Sequence, residues 1–231
     1  MSSPTPGPLF IIGVGPLIGS HIPRLFASHG FTQIALFSRT SVSLSDARTF
    51  ILSSSPNTTI HTYEADVTDT SHFTAVLAQA IQQTGAPEVV VYNAARIKFG
   101  TFDQYSEEDI VTDFKIPCVG LYTSAKILLP YLRKVGEEKE GSHPSLFVTS
   151  SPLIDEPYAP VFSLSMAKTA QACLVKTLVE QERGKVHVAL VVVEAGIVTL
   201  EHETNNPERI AGLFWGLWGN EKGKWASEVR L

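Results

Sequence analysis

The chain has 231 residues, 44% of them hydrophobic, and a formal net charge of −5. That length supports one well-buried α/β domain and is too short for two, while the acidic balance without a basic stripe excludes an electrostatic nucleic-acid binder. No apolar run reaches transmembrane length, and two cysteines, Cys118 and Cys173, exclude a disulfide framework. The first basic residue is Arg24, so the apolar N-terminal segment lacks the flank of a signal peptide. A cytoplasmic protein with no membrane partner, no nucleic-acid partner and no metal site is expected.

Residues 1–8 are expected to form a flexible N-terminus. Leu9 to Ile12 is a short apolar run that breaks into Gly13-Val14-Gly15-Pro16-Leu17-Ile18-Gly19 and then a helical pattern through Ser28. This reads as strand, glycine turn and helix, in which the backbone of Gly13, Gly15, Leu17, Ile18 and Gly19 can approach a pyrophosphate because no Cβ holds it away. The last glycine comes one residue later than in the usual dinucleotide fingerprint. Pro23 falls inside the helix, away from the turn.

Gln33 to Phe37 reads as a second strand. It ends in Ser38-Arg39, where an NAD-selective protein usually carries an acidic residue; a guanidinium there favours a 2′-phosphate. A third strand, Thr59 to Tyr63, runs into Glu64-Ala65-Asp66-Val67, and a fourth, Val89 to Tyr92, into Asn93-Ala94-Ala95. Arg96 and Lys98 follow, either as exposed loop residues or as contacts for an anionic substrate group. Thr70 to Thr84 reads as an amphipathic helix, and Glu107 to Leu132 as a longer one, with a bend expected near Lys115 because Pro117 removes a helical hydrogen bond. Loops are expected around Ser53 to Asn57, at Gly136 to Gly141 and at Glu201 to Asn206.

In the second half, Leu146 to Thr149 reads as a fifth strand entering Ser150-Ser151, and Val161 to Glu182 as a helix containing Lys168. Val186 to Val193 is a continuous apolar run, as a strand buried on both faces should be. It leads to Ala195-Gly196 and Val198. Leu213 to Trp218 is aromatic enough to be a substrate lid, an oligomer contact or a packed helix.

The glycine turn, the Asp66-Val67 pair, Asn93-Ala94-Ala95, Ser151 and Lys168 occur in the order and spacing of the short-chain dehydrogenases/reductases, and from Leu9 to about Leu231 the chain resembles that family. The resemblance implies a Rossmann-type, doubly wound parallel sheet of about seven strands with helices on both faces. It implies an NADP(H) site formed by Gly13, Gly15, Leu17, Ile18, Gly19, Ser38, Arg39, Asp66, Val67, Asn93, Ala94, Ala95, Lys168, Gly196 and Val198, a small organic substrate, and a homodimer or homotetramer through the helices beginning near Glu107 and Val161. The family serine matches Ser151 and the family lysine matches Lys168. The catalytic tyrosine, however, is matched by Leu164 and the active-site asparagine by Lys115.

Leucine cannot donate a proton, so another group replaces the phenol or the reaction does not need one. The segment from Pro152 to Tyr158 supplies Asp155 and Tyr158 as candidate acids, with Tyr122 a further phenol. The expected function is an NADP(H)-binding oxidoreductase with a non-standard site, acting on a carbonyl or imine-like group. The alternatives are a non-redox isomerisation or cyclisation on the same fold, and a cofactor-sensing protein without turnover.

Overall fold

The computed structural model describes residues 5–194 and 198–231. Its strands are β1 (Leu9–Ile12), β2 (Gln33–Ser38), β3 (Thr59–Glu64), β4 (Val89–Tyr92), β5 (Ser145–Ser150), β6 (His187–Val192) and β7 (Glu228–Arg230). They form one sheet in the order β3-β2-β1-β4-β5-β6-β7, with every pairing parallel. The order reverses between β1 and β4, and at such a switch point the two halves of the sheet leave a crevice at the carboxyl ends of the strands.

The helices are α1 (Ile18–Ser28), α2 (Ser41–Leu52), α3 (Thr70–Thr84), α4 (Glu107–Phe114), α5 (Gly120–Glu138), α6 (Phe162–Gln181) and α7 (Pro207–Trp218). Alternate residues of the buried strands feed two cores. Phe10, Val90, Val148 and Leu190 pack with Phe73 of α3, Leu121 of α5 and Val175 of α6. Leu9, Val91, Phe147 and Val191 pack on the other face with Phe26 of α1, Leu44 of α2 and Phe214 of α7. This two-faced burial is the physical reason for unbroken apolar runs in place of apolar–polar alternation.

Several elements differ from the sequence expectation. α2 buries only Leu44, Ala47 and Ile51, while Val42, Phe50 and Leu52 stay partly or fully exposed and blur the stripe, and it is started by Thr40, whose side chain accepts from the Ser43 N–H. The loop expected from Gly136 begins later, because α5 continues to Glu138. Residues 5–8 are tethered rather than loose: the Gly7 N–H donates to buried Glu88 and Lys139 donates to the Thr5 carbonyl. Trp215 and Trp218 of α7 stack around Phe26, which favours helix packing over a lid for that aromatic stretch.

The expected bend near Lys115 is a π-helical turn, Lys115–Val119, between α4 and α5. Pro117 has no N–H to continue the α-helical ladder, and the Gly120 N–H instead reaches the Lys115 carbonyl, five residues back. The widened turn leaves carbonyls free to face inward. Tyr92 Oη, at the end of β4, donates to the Ile116 carbonyl, and Gln171 of α6 donates to the Pro117 carbonyl at 3.0 Å.

Candidate active site

A cleft of about 360 Å³ lies at the switch point, lined by the glycine turn, the end of β2 and the segments after β3 and β4. Gly13 adopts φ +96°, and a Cβ there would sit 2.4 Å from the Ala94 nitrogen, so the turn and the end of β4 touch backbone to backbone. A Cβ on Gly19 would lie 2.7 Å from the Gly13 carbonyl oxygen. Gly15 is different: a Cβ would meet nothing within 4 Å, so its bareness leaves room in the cleft instead of serving internal packing.

The turn is held from both sides. The Gly13 and Val14 N–H groups donate to the Phe37 carbonyl, Ser38 Oγ donates to the Val14 carbonyl, and Asn93 Nδ2 donates to the Gly13 carbonyl at 2.9 Å. Ile18 and Gly19 occupy the first turn of α1, where N–H groups have no intrahelical carbonyl. Such unspent donors, the positive helix end and the bare Gly15 suit a pyrophosphate. Arg39 is exposed at the cleft and makes no hydrogen bond or ion pair among the described residues. Thr40 and Ser43 stand beside it, two hydroxyls that sequence reasoning missed because they belong to the unexpected α2. Asp66 lines the same cleft and accepts from the Thr68 N–H and hydroxyl, which fixes its carboxylate; Val67, Ala94 and Ala95 complete that wall. These residues fit a nicotinamide dinucleotide. Val198 is half-buried, and Gly196 lies outside the described residues.

Near the carboxyl end of β5 lies Lys168, 6% exposed on α6. Its Nζ donates to the Thr149 carbonyl at 2.8 Å and to Gln171 Oε1 at 2.9 Å. Burial lowers its pKa to about 8, and the nearby Cys118 gives little relief because burial pushes that thiol up to about 11. Gln171 is a third residue the sequence reading missed, although its place one turn beyond Lys168 was the available signal. Thr149, Ser150, Ser151 and Ser163 carry buried hydroxyl oxygens without a partner among the described residues. Leu164, one turn before Lys168, is buried as an apolar wall.

Five other expectations meet specific placements. Lys115 is exposed at the start of the π-helical turn, and it is the Pro117 carbonyl that joins the Lys168 network through Gln171. Asp155 is not free in the crevice: its carboxylate pairs with Arg230 of β7 at 2.6 Å, both side chains half exposed. Tyr158 is 57% exposed, and its backbone N–H donates to Ser165 Oγ. Tyr122 is exposed on α5. Arg96 and Lys98 both bind Asp109, and Arg96 also approaches buried Asp113 at 3.4 Å, so their charges are answered within the protein.

Comparison with known proteins agrees with this geometry. The sequence is 28% identical over 158 residues to the oxidoreductase UcpA of Salmonella typhimurium, a stretch that is 68% of this chain and 57% of that protein. The chain thus matches little more than half the length of its curated relative. Among solved structures, a metagenomic short-chain oxidoreductase in complex with NADP superposes with a TM-score of 0.85 at 19% identity, covering 100% of this chain and 98% of the other. An NADPH-bound short chain oxidoreductase of Pseudomonas aeruginosa, described as containing an atypical catalytic center, superposes with a TM-score of 0.84 at 17% identity, covering 97% and 95%. The sequence model for the short chain dehydrogenases matches residues 9–210. The chain belongs to the short chain dehydrogenase family.

Proposed function

We propose that this protein is an NADP(H)-dependent oxidoreductase that reduces a carbonyl or imine-like group of a small organic molecule at a site without a catalytic tyrosine. The observation that carries this reading is a bare, donor-rich glycine turn in a cleft where Arg39 has no partner among the described residues, together with a buried ammonium, Lys168, bonded near the carboxyl end of β5. Gly15, Ile18 and Gly19 would hold the pyrophosphate, and Arg39 with Thr40 and Ser43 the 2′-phosphate. When bound, the nicotinamide supplies a hydride. Lys168 would orient the ribose beside it, Ser151 would hold the substrate oxygen, and Leu164 would exclude water. Asp155 could enter the chemistry only by leaving Arg230, which makes Tyr158 the better loop candidate.

Leu164 supports a second reading, in which the pocket guides an isomerisation or cyclisation without net redox change. Apolar residues exposed on α4, α5 and α6, among them Val111, Phe114, Tyr122 and Met166, support a homodimer through those helices. No helix among the described residues is long and apolar enough to cross a membrane, and a cytoplasmic setting is part of the proposal.

Calorimetry tests the cofactor assignment. NADPH should bind more tightly than NADH, and Arg39→Ala should weaken NADPH by roughly 1–3 kcal/mol, the size of a charged hydrogen bond, with little effect on NADH. Equal affinities in the native protein would defeat it.

A further inference from the structure

Hydride addition to a carbonyl leaves an oxyanion that must be protonated, and Leu164 offers no proton. Lys168 carries three N–H donors. Two are spent, on the Thr149 carbonyl and on Gln171 Oε1, and the third has no acceptor among the described residues. Among the described residues no carboxylate pairs with this ammonium. The groups packed around it from other elements are the Thr149 carbonyl at the end of β5 and Cys118 in the π-helical turn, whose buried thiol donates to the Ala167 carbonyl. Gln171 cannot turn away, because its amide is anchored on the Pro117 carbonyl.

The arrangement is therefore a chain running from the π-helical turn through Gln171 to Lys168 and ending at the Thr149 carbonyl of β5, two residues before Ser151. From this geometry we infer that Lys168 is itself the proton donor of this enzyme, with Gln171 as the residue that positions it. The inference rests on the oxidoreductase reading above.

The step balances as follows. The reduced nicotinamide provides two electrons and one proton as hydride, forming a C–H bond and leaving the carbonyl electron pair on oxygen. One Nζ–H bond of Lys168 breaks, its proton forms the O–H bond of the alcohol, and the bonding pair stays on Nζ. The neutral amine then takes a proton from water. Such a donor has to part with its proton near neutral pH. Burial without a counter-anion provides for this by bringing the lysine to about 8. A substrate already cationic at nitrogen needs hydride alone and bypasses the lysine.

The full-length protein tests this in three measurements. First, NMR of isotope-labelled lysine, with the Lys168 signal assigned by its loss in Lys168→Arg, should give a titration midpoint near 8 in the free protein. A midpoint at the ordinary lysine value overturns the inference. Second, single-turnover reduction of phenanthrenequinone by bound NADPH should slow as pH rises through that midpoint. Lys168→Arg, which keeps a cation but does not release its proton, should slow the reduction by roughly 10²–10⁴-fold when measured at saturating NADPH. A pH-independent rate, or a Lys168→Arg variant as fast as native, overturns it, and a loss in Tyr158→Phe of the same size would assign the proton to the loop.

Third, Gln171→Glu should move the alkaline limb upward and Gln171→Leu should move it downward, because an anion favours the ammonium and loss of the acceptor disfavours it. A limb unmoved in both variants removes the positioning role. Failure of NADPH to bind by calorimetry defeats the oxidoreductase reading instead. Binding without any quinone reduction defeats both.

Discussion

Asn93 reaches back 80 residues to donate its side-chain amide to the Gly13 carbonyl oxygen at 2.9 Å, tying the end of β4 to the glycine turn across the switch point. The contact explains an asparagine at this place without direct ligand contact: it fixes the backbone that a pyrophosphate would meet. Asn93→Ala removes the donor and leaves the carbonyl partly unpaired. It should cost about 1–2 kcal/mol of stability and weaken NADPH binding, measured by denaturant melts and calorimetry. An unchanged cofactor affinity in a destabilised variant would limit Asn93 to folding.

Gly19 and Gly15 predict opposite outcomes. Gly19→Ala places a Cβ 2.7 Å from the Gly13 carbonyl, a backbone atom that cannot swing away, and should lower the melting temperature. Gly15→Ala meets no protein atom within 4 Å and should leave the melting temperature near native while weakening NADPH. Parallel thermal melts and titrations check the contrast.

Restoring the phenol at position 164 should not restore an ordinary reductase. The site around Leu164 is built on the Lys168–Gln171–Pro117 chain, and a tyrosine packed into this buried wall has to displace neighbours. Leu164→Tyr should therefore raise turnover of generic ketones by less than the roughly tenfold that would mark recovery of a positioned acid. Steady-state assays over a ketone panel decide it.

Lys168 also gives a pH dependence of stability. Its folded pKa of about 8 lies below the ordinary 10.5, so the unfolded chain binds more protons between those values and stability should rise with pH across that window. Holding the buried ammonium at neutral pH costs roughly 3 kcal/mol at most. Lys168→Met should therefore stabilise the free protein by about 1–2 kcal/mol at pH 7, less than the full amount because the Thr149 carbonyl and Gln171 lose a donor. The same variant should flatten the rise. Urea melts at several pH values measure both.

Glu182, unlike Lys168, is a buried charge that its partner stabilises. Its fully buried carboxylate takes a bidentate pair of hydrogen bonds from Arg133, with Nε at 2.7 Å, and this partner holds its pKa below the ordinary 4.5. The stabilisation is present above the ordinary value and is lost as pH falls through the depressed folded one. Arg133→Met strands the carboxylate and should cost about 3–5 kcal/mol, recovered in part by Glu182→Gln in the double variant.

The sequence by itself determined the scaffold and the address of the cofactor cleft. Unbroken apolar runs such as Val186 to Val193 announce strands covered on both faces, glycines at 13, 15 and 19 announce a tight backbone approach, and the interval from Ser151 to Lys168 sets the register of the site, because each is a local pattern that the chain carries without knowing its neighbours. α2 escaped that reading because its three buried apolar residues share the helix with three others off that stripe, which blurs the period. What sits beside Lys168 was decided by tertiary structure alone. Pro117 lies 54 residues from Gln171, Asp155 lies 75 from Arg230, and Lys168 lies 19 from the carbonyl it binds. Charge answered or unanswered depends on which groups the fold brings within hydrogen-bond reach, and spacing along the chain does not contain that distance.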